Sequence, residues 1–477
     1  MYKNFFNEIT DKRLIVGWNK IPWENKQHLI QKLQEQIYQT ALRGEIISMS
    51  RFQKITLASV SVKFVAIKIV TEEKKYSINN TNKIKLALSL RTDNSSKLYP
   101  YWKGLHFNNI SYSEFYDIYT QSIAWITHLI LEPQWEAYLE PSIFGFRSYY
   151  SKKDAILALL KQIQKNKFHY IISGYLKFKL DQKQSKILAK KLHNSKYIAN
   201  FLNRYLYAKI EVVNLTYLTT LKTSKVSIEG LLLNILTYGL TYHLMENRLL
   251  QKIDNPQNNL SNSIYYINFG DCFCALCHSS IVSKWLLQIL ERNFTSLALN
   301  PSQDLSYLKP EFRFLGFLFK IKANSIDILP DINSQKALIY KIRKVLYKKD
   351  FIGRTRALTH LTLEKAIYKI NPILLSWSCC HEICTQNKYF RSIDQIIDNT
   401  LYRWQIKKYK RNTISSWKKQ CIKYIKNRKR ITEGKALLKL LYLESLKQKT
   451  YSALFYHRSI YDQDHSYWFR REKNLKK

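Results

Sequence analysis

The segment YYINFGDCFCALC, residues 265–277, contains two short runs of apolar and aromatic residues on either side of Gly270 and Asp271. Runs of this length and composition are typical of β-strands, and Gly-Asp suits the tight turn of a hairpin. We therefore predict a β-hairpin with a carboxylate at its tip. The residue after Asp271 is Cys272, so the predicted tip carries one carboxylate and not an adjacent pair.

The segments around this hairpin alternate between strand-like and helical patterns. HYIISGYLKFKL (169–180) and FRFLGFLFKI (312–321) have the composition of strands, whereas residues 112–131 and 281–294 have the periodicity of amphipathic helices. Strands and helices that alternate in this way indicate an α+β fold. After Pro330 we predict an almost entirely helical chain.

The charge of the chain is strongly basic. Its 477 residues include 77 Lys and Arg against 35 Asp and Glu, a net charge of +42. Such a charge points first to a nucleic acid as partner and second to an anionic membrane surface. No apolar run approaches the ~20 residues that span a bilayer, which argues against an integral membrane protein.

The first residues, MYKNFFNEITDKRL, have neither a secretory apolar stretch nor an acid-poor transit pattern, so we expect the protein to act where it is made. Its frequent Lys, Ile, Asn and Tyr indicate an AT-rich coding genome, as in an organelle.

The seven cysteines form an odd, clustered set that predicts reduced thiols: Cys272, Cys274, Cys277, Cys379, Cys380, Cys384 and Cys421. Zinc binding with His278 or His381 is the alternative. We favour buried apolar cysteines, because neither cluster has the paired C-x-x-C spacing of a strong zinc site.

A basic region lies between Asp398 and Glu433, where no acidic residue occurs. It contains twelve cations: Arg403, Lys407, Lys408, Lys410, Arg411, Lys418, Lys419, Lys423, Lys426, Arg428, Lys429 and Arg430. Interleaved aromatic residues, among them Tyr409 and Trp417, can stack on unpaired RNA bases. A charge run is often only a solvated face, but twelve uncompensated cations repel one another without a polyanion. We therefore favour an RNA-binding function for this region.

An apolar stripe precedes and enters the basic region. Its residues recur at helical spacing: Phe390, Ile393, Ile397, Leu401 and Trp404. The stripe predicts that Trp404 belongs to the core and is not a platform for a base. The same spacing turns Arg403 and Lys407 away from the core, where they can meet phosphate.

Several segments, in order, resemble the group II intron-encoded reverse transcriptases. They are WNKIPWENKQHLIQKLQEQIYQTALRGE (18–45), EPQWEAYLEPSIFGFRSYYSKKDAI (132–156), LNPS (299–302), FLGFLF (314–319), NPILLSWSCCHEI (371–383) with FRSIDQIIDNTLYRWQIKKY (390–409), and SIYDQDHSYWFRR (459–471). The segments at 371–409 are similar to the maturase domain X of that family. The resemblance implies a right-hand reverse-transcriptase-like fingers and palm, followed by an all-α thumb and domain X.

The same resemblance sets the predicted domains. We expect an N-terminal helical extension and fingers at 1–90, a degenerate fingers and palm at 91–325, thumb-like helices at 326–370, and domain X with its basic tail at 371–477. Many family members continue beyond such a tail into a metal-dependent endonuclease, which we expect this chain to lack.

The departures from the family concern catalysis. In this family two divalent ions are held by carboxylates on the first palm strand and at the hairpin turn. The matching positions here are Tyr175, Asp271 and Cys272, and one carboxylate cannot hold two hard cations. Asp181 we interpret as an acid that ends the strand or caps a helix. The Pro-Gln-Gly turn, expected near residues 223–225, and the nucleotide-gripping motif, expected at 91–110, are missing. We therefore predict no catalytic residues, no bound metal and no polymerase activity.

These features predict a maturase that binds a group II intron, or a derived group III or twintron intron, within precursor mRNA and stabilises its fold. The predicted RNA contacts are Arg403, Lys407, Lys408, Tyr409, Lys410, Arg411, Trp417, Lys418 and Lys419. No cofactor is expected, since Mg²⁺ would belong to the intron RNA. Arg147 could touch RNA or pair with an acid, and the tail residues Tyr461, Asp462, Asp464 and Trp468 are predicted to dock onto domain X and not to face RNA.

The alternatives are a polymerase with unusual metal ligands, a general RNA chaperone, and a decayed reading frame. The expected location is a plastid, with a mitochondrion as the alternative. The oligomeric state stays open.

Overall fold

The computed structural model describes most of the chain. The described residues are 17–73, 76, 78–90, 92, 111–165, 168–192, 199–203, 205–206, 228–244, 264–308, 311–322, 325–384, 387–409, 421–425, 428–433, 435–439, 441, 459–462, 466–468 and 470. The fold is a mixture of helices and antiparallel sheets. Within the described ranges, no helix is both long and apolar enough to cross a membrane.

The N-terminal part is helical. Helices α1 (Trp23–Leu42), α2 (Ile46–Ala58), α3 (Val60–Glu73) and α4 (Asn80–Ser89) precede the long helix α5 (Tyr112–Tyr138). The start of α5 is fixed by a capping box, in which the Ser111 hydroxyl accepts from the Glu114 amide and the Glu114 carboxylate accepts from the Ser111 amide. Helices α1, α2 and α3 pack against α5, which is therefore the central helix of this part.

A four-stranded antiparallel sheet follows helix α6 (Lys152–Lys165). Its strands are β1 (Tyr170–Lys177), β2 (Ile264–Phe269), β3 (Cys272–Cys277) and β4 (Asn300–Tyr307), in the order β2-β3-β1-β4. Three further helices belong to this region: α7 (Gln182–Lys191), α8 (Ile228–Thr237) and α9 (Ser280–Ser296). The predicted hairpin is confirmed as β2 and β3, joined at Gly270 and Asp271.

The sheet separates two apolar cores because alternate strand residues point to opposite faces. Ile172 and Phe273 pack into the core shared with α5, α8 and α9. Ile171 and Cys274 pack into the second core, which is shared with the C-terminal helices. The hairpin is therefore supported from both sides.

The C-terminal part begins with a three-stranded sheet. Strands β5 (Glu311–Phe314), β6 (Phe317–Ile321) and β7 (Ile326–Pro330) pair in sequence order, and helix α10 (Ile332–Leu346) follows. A small hairpin comes next, made of β8 (Tyr347–Lys349) and β9 (Thr355–Ala357). Helices α11 (Leu363–Cys380) and α12 (Asn387–Tyr409) complete the second core.

The last described strands are β10 (Ile422–Ile425), β11 (Arg428–Glu433) and β12 (Ala436–Leu437). This sheet is tied to α11, since the Asn371 side chain donates to the Leu437 carbonyl at 2.9 Å and accepts from the Lys439 amide at 3.0 Å.

The prediction of an all-α region after Pro330 was wrong at β8–β9 and at β10–β12. The strands β8 and β9 have three residues each, and β11 begins with three consecutive cations, so neither region shows a clear period of two.

Candidate nucleic-acid interface

Helix α12 separates an apolar face from a cationic one. Phe390, Ile393, Ile397, Leu401 and Trp404 are all at most 1% exposed, so the prediction that Trp404 is a core residue is confirmed. Arg403 and Lys407 are exposed on the opposite side. The apolar stripe therefore fixes the rotation of the helix and directs these two cations outward.

The other predicted contacts on α12 are not equivalent. The Lys408 ammonium donates to the Leu361 carbonyl at 2.8 Å and lies 4.8 Å from the Tyr409 ring centroid. Lys408 is thus partly engaged in holding α12 to the segment before α11. Tyr409 is 58% exposed and open to a ligand. The predicted contacts Lys410, Arg411, Trp417, Lys418 and Lys419 lie outside the described residues.

The hairpin β8–β9 extends the cationic face of α12. The Lys407 ammonium lies 5.7 Å from the ring centroid of Tyr347, the first residue of β8. Burial raises the pKa of Tyr347, and Arg343 and Arg403, which also lie near this ring, oppose that rise. Four exposed cations lie on the hairpin itself: Lys348, Lys349, Arg354 and Arg356. We call these four with Arg403 and Lys407 the basic surface.

The hairpin half of the basic surface was not predicted from the sequence. The signal is the segment KKDFIGRTR at 348–356, in which a turn-forming Asp-x-x-Gly separates two cationic pairs. The region had been assigned to helices, so this turn was missed.

The second site is the hairpin-tip cluster of Tyr175, Asp271 and Cys272. The register pairs Tyr175 with Cys272, and the Leu176 amide donates to the Asp271 carbonyl at 2.7 Å. The structure therefore brings together the three residues that the sequence analysis placed at the metal-binding positions. Tyr175 is 58% exposed, and Asp271 is exposed at the turn.

The chemistry of this cluster differs from that of a two-metal site. Burial, with help from Asp271, raises the pKa of the Cys272 thiol to about 12, so the thiol is neutral at physiological pH. A phenol, a neutral thiol and one carboxylate are poor ligands for hard cations that prefer charged oxygens. Asp331 is a further acid near Tyr175. Its carboxylate caps the start of α10, where it accepts a hydrogen bond from the Asn333 amide at 3.2 Å. Over the described ranges, no group of three or more His, Cys, Asp or Glu could hold a metal ion.

Asp181 has the capping function that was predicted. Its side chain accepts from the Gln184 amide at 2.7 Å, and the Gln184 side chain accepts from the Asp181 amide at 3.3 Å. This capping box begins α7. Asp181 is therefore not directed at the hairpin-tip cluster.

A loop at 142–147 holds the hairpin tip in place. The Phe144 amide donates to the Asn268 carbonyl at 2.8 Å, and the Asn268 amide donates to the Ser142 carbonyl at 2.9 Å. A Cβ on Gly145 would lie 1.9 Å from the Gly270 nitrogen, so the two backbones touch. Glycine is needed at this crossing because no side chain fits.

Arg147, at the end of this loop, pairs with an acid. Its guanidinium binds the Glu136 carboxylate through Nη2 at 2.6 Å and Nε at 3.1 Å, and both side chains are 5% exposed. Nη1 donates to the Ile143 carbonyl at 3.0 Å. Of the two alternatives left open, the acid partner is the one that the structure shows. Arg147 is buried and does not face RNA.

The first part of the tail docks onto a different surface from the one predicted, whereas Trp468 belongs to the second core, which α11 and α12 complete. The Tyr461 hydroxyl donates to the Glu132 carboxylate of α5 at 2.9 Å, and the Tyr38 hydroxyl of α1 donates to Asp462 at 3.1 Å. The Trp468 ring lies 5.9 Å from that of Tyr149, before α6. Docking by aromatic packing is confirmed, but Tyr461 and Asp462 bind the N-terminal helices and not domain X. Asp464 lies outside the described residues.

The cysteines are all free thiols, in partial agreement with the prediction of buried apolar residues. Cys274, Cys277 and Cys384 are buried, and burial raises the pKa of Cys277 to about 12. Cys379 and Cys380 are exposed at the end of α11, contrary to that prediction. Their helical positions at the last turn face away from the second core.

Two family comparisons match parts of this fold. The sequence model for the N-terminal domain of reverse transcriptase matches residues 18–95, and the model for the group II intron, maturase-specific domain matches residues 348–424. Together the two matches support a group II intron maturase. In the maturase, the first match covers α1 to α4, and the second covers helix α12 and the hairpin β8–β9 from Lys348 onward. All residues of the basic surface therefore lie within the maturase-specific domain.

No curated protein sequence matches the maturase. Among solved structures, it is similar to a telomerase from Candida albicans, determined in complex with a TWJ fragment of telomeric RNA. The identity is 11% and the TM-score 0.29, over 64% of the maturase and 57% of the telomerase chain. The maturase thus spans little more than half of that chain, and a similarity this low carries no weight for fold or function.

Proposed function

We propose that the maturase binds a group II intron, or a derived group III or twintron intron, in precursor mRNA and assists its splicing. The observation that supports this proposal is the position of the basic surface inside the maturase-specific domain. The protein contributes positive charge and tertiary contacts, while the intron RNA supplies the Mg²⁺ ions and carries out the two transesterifications.

The basic surface acts by compensating phosphate charge where intron segments approach one another. Each phosphate that a cation neutralises releases counterions, and for duplex contacts this contributes a slope of about −0.9 to the plot of log K against log salt. Arg403 and Lys407 are held on one face of α12 by its buried stripe, so they present two charges at a fixed spacing.

We further propose that the β1–β4 sheet and the C-terminal helices have the palm, thumb and domain X arrangement of a reverse transcriptase that no longer polymerises. The hairpin-tip cluster supports this, since Tyr175 and Cys272 take the places of two carboxylates. The frequent Lys, Ile, Asn and Tyr of the sequence support a location in an organelle, a plastid before a mitochondrion.

The experiment is equilibrium binding of purified maturase to in vitro transcribed candidate introns from organelle genomes, with rRNA of equal length as competitor, at a series of salt concentrations. The maturase should remain bound to at least one intron at a salt concentration at which the rRNA competitor dissociates. The charge-reversed pair Arg403→Glu with Lys407→Glu should weaken that complex at least tenfold and flatten the salt slope by about 2.

A matched control uses two exposed lysines of α7, in the pair Lys183→Glu with Lys186→Glu. This pair makes the same change in net charge outside the maturase-specific domain. If both pairs weaken binding equally, the affinity reflects only the net charge of +42, and a general RNA chaperone is the better description.

A further inference from the structure

The turn of the hairpin β8–β9 presents two large apolar side chains to solvent. Phe351 is 97% exposed and Ile352 is 60% exposed. A single exposed apolar residue needs no explanation, but Phe351 and Ile352 are adjacent and lie between the exposed cations of the two strands. Within the described residues, no packing contact explains why a Phe stands at position 351. We therefore look for a ligand that its ring could contact.

The turn that carries Phe351 is well defined. The Asp350 carboxylate accepts from the amides of Ile352 at 3.1 Å and Arg354 at 2.8 Å, and the Gly353 amide donates to the Asp350 carbonyl at 3.0 Å. Gly353 has a φ of +81°, which a residue with a side chain rarely adopts. The tip is therefore fixed before any ligand arrives, and this lowers the entropic cost of binding.

The strands beside the turn carry like charges in direct opposition. The register places Lys348 opposite Arg356, and such a pair destabilises an isolated two-stranded ribbon. The only compensation that the described hairpin residues supply is Asp350, whose carboxylate lies 3.1 Å from the Arg356 Nε. Four cations against one carboxylate leave the hairpin with a charge of +3. A polyanion would relieve this repulsion, whereas an apolar or basic protein partner would not.

The hairpin is also continuous with the proposed RNA surface. Its first residue, Tyr347, touches Lys407 of α12, and the Leu358 amide donates to the Leu346 carbonyl at 3.0 Å, which closes the base of the hairpin against α10. A ligand bound along Arg403 and Lys407 therefore reaches the hairpin without crossing an apolar gap.

We propose that Phe351 stacks on an unpaired base of the bound RNA while Lys348, Lys349 and Arg354 contact the flanking phosphates. An aromatic face needs a base that is free of its own stack, so the hairpin would select a loop, bulge or single-stranded junction and not a continuous duplex. This inference rests on the proposed function, because it assigns the kind of RNA element that one end of the basic surface recognises.

The test uses the full chain and a short single-stranded RNA that carries 2-aminopurine, whose fluorescence falls when an aromatic ring stacks on it. The matching duplex serves as the second probe. Phe351→Ala should weaken binding to the single strand about tenfold and abolish the quenching, with an unchanged salt slope, because no charge is removed. Phe351→Trp should restore both signals, and Phe351→Leu should restore neither.

The controls separate this inference from the proposed function. Phe351 is 97% exposed, so its removal leaves the core intact, and circular dichroism checks the fold. If Phe351→Ala binds both probes like the original chain while Arg403→Glu with Lys407→Glu weakens both, the stacking inference is overturned and the RNA surface stands. If neither variant weakens binding, the proposed surface is wrong. If Phe351→Ala binds both RNA probes like the original chain but no longer binds anionic lipid vesicles, the inference is overturned in favour of a membrane contact.

Discussion

The buried ion pair between Arg147 and Glu136 allows a quantitative test of the fold around the hairpin tip. Arg147→Met keeps most of the side-chain volume but removes the guanidinium, which binds both carboxylate oxygens of Glu136 at 2.6 to 3.2 Å. The Glu136 carboxylate would then remain buried without its partner, with Glu132 and Asp462 as acidic neighbours. The Ile143 carbonyl would also lose its donor.

The expected loss of stability is about 3–5 kcal/mol, the usual effect of breaking one side of a buried pair. The loss should depend on pH. Burial already raises the pKa of Glu136, and Arg147 opposes that rise, so the variant raises the pKa further. Above the unfolded value of about 4.3, the unfolded carboxyl ionises while the buried one stays protonated, and the variant loses about 1.4 kcal/mol per pH unit until its own pKa is reached.

Urea denaturation, followed by tryptophan fluorescence between about pH 4.5 and about pH 8, measures both effects. Both proteins lose stability at the same rate up to the pKa of Glu136 in the original chain, and above that pKa the deficit of Arg147→Met should grow as the pH rises. The double variant Glu136→Leu with Arg147→Met removes both charges. Its free energy of unfolding should return to within about 1 kcal/mol of the original value, and the remaining difference is the lost hydrogen bond to the Ile143 carbonyl. A single variant with a constant deficit across this range, or a double variant as unstable as the single one, would refute the buried-pair explanation.

Three further predictions concern the tail, the hairpin and catalysis. Tyr461→Phe removes the hydroxyl that donates to Glu132 of α5 at 2.9 Å and accepts from the Gln34 side chain of α1 at 3.3 Å. The loss should cost about 1.5–3 kcal/mol, seen as faster hydrogen exchange in α1; unchanged exchange would mean that the tail does not dock there. Gly270→Ala, in the β2–β3 hairpin, should lower the unfolding midpoint more than Gly239→Ala does. Both glycines have a positive φ, but only a Cβ at position 270 would lie close to the Phe146 ring, at 2.9 Å. The purified protein should give no Mg²⁺-dependent primer extension, because the hairpin tip offers one carboxylate; labelled product would instead support the polymerase alternative.

Local chemistry made parts of this structure predictable. The Gly270–Asp271 turn and the apolar runs beside it specify a hairpin from neighbouring residues alone, and the stripe that ends at Trp404 specifies which side of α12 is buried. Asp181 was likewise predictable as a cap, since capping depends on a residue three positions away. In each case the deciding interactions lie within one element.

Long-range interactions could not be predicted in the same way. Tyr461 and Asp462 bind residues more than 300 positions earlier in the chain, and nothing in the tail sequence distinguishes α1 and α5 from domain X as its partner. The strands β8 and β9 were missed because each has three residues, too few to show a period of two against a background of charge. The cationic hairpin therefore became visible only when the fold placed it beside α12.

The central claim is that the maturase recognises intron RNA through the basic surface. Immunoprecipitation of the full chain, followed by sequencing of the bound RNA, tests it most directly when the Arg403→Glu with Lys407→Glu pair and the Lys183→Glu with Lys186→Glu pair are compared. We expect intron sequences to be enriched by the original chain and by the α7 control, and lost from the α12 pair. Recovery of rRNA and tRNA without intron enrichment, or equal intron recovery by all three proteins, would contradict the claim.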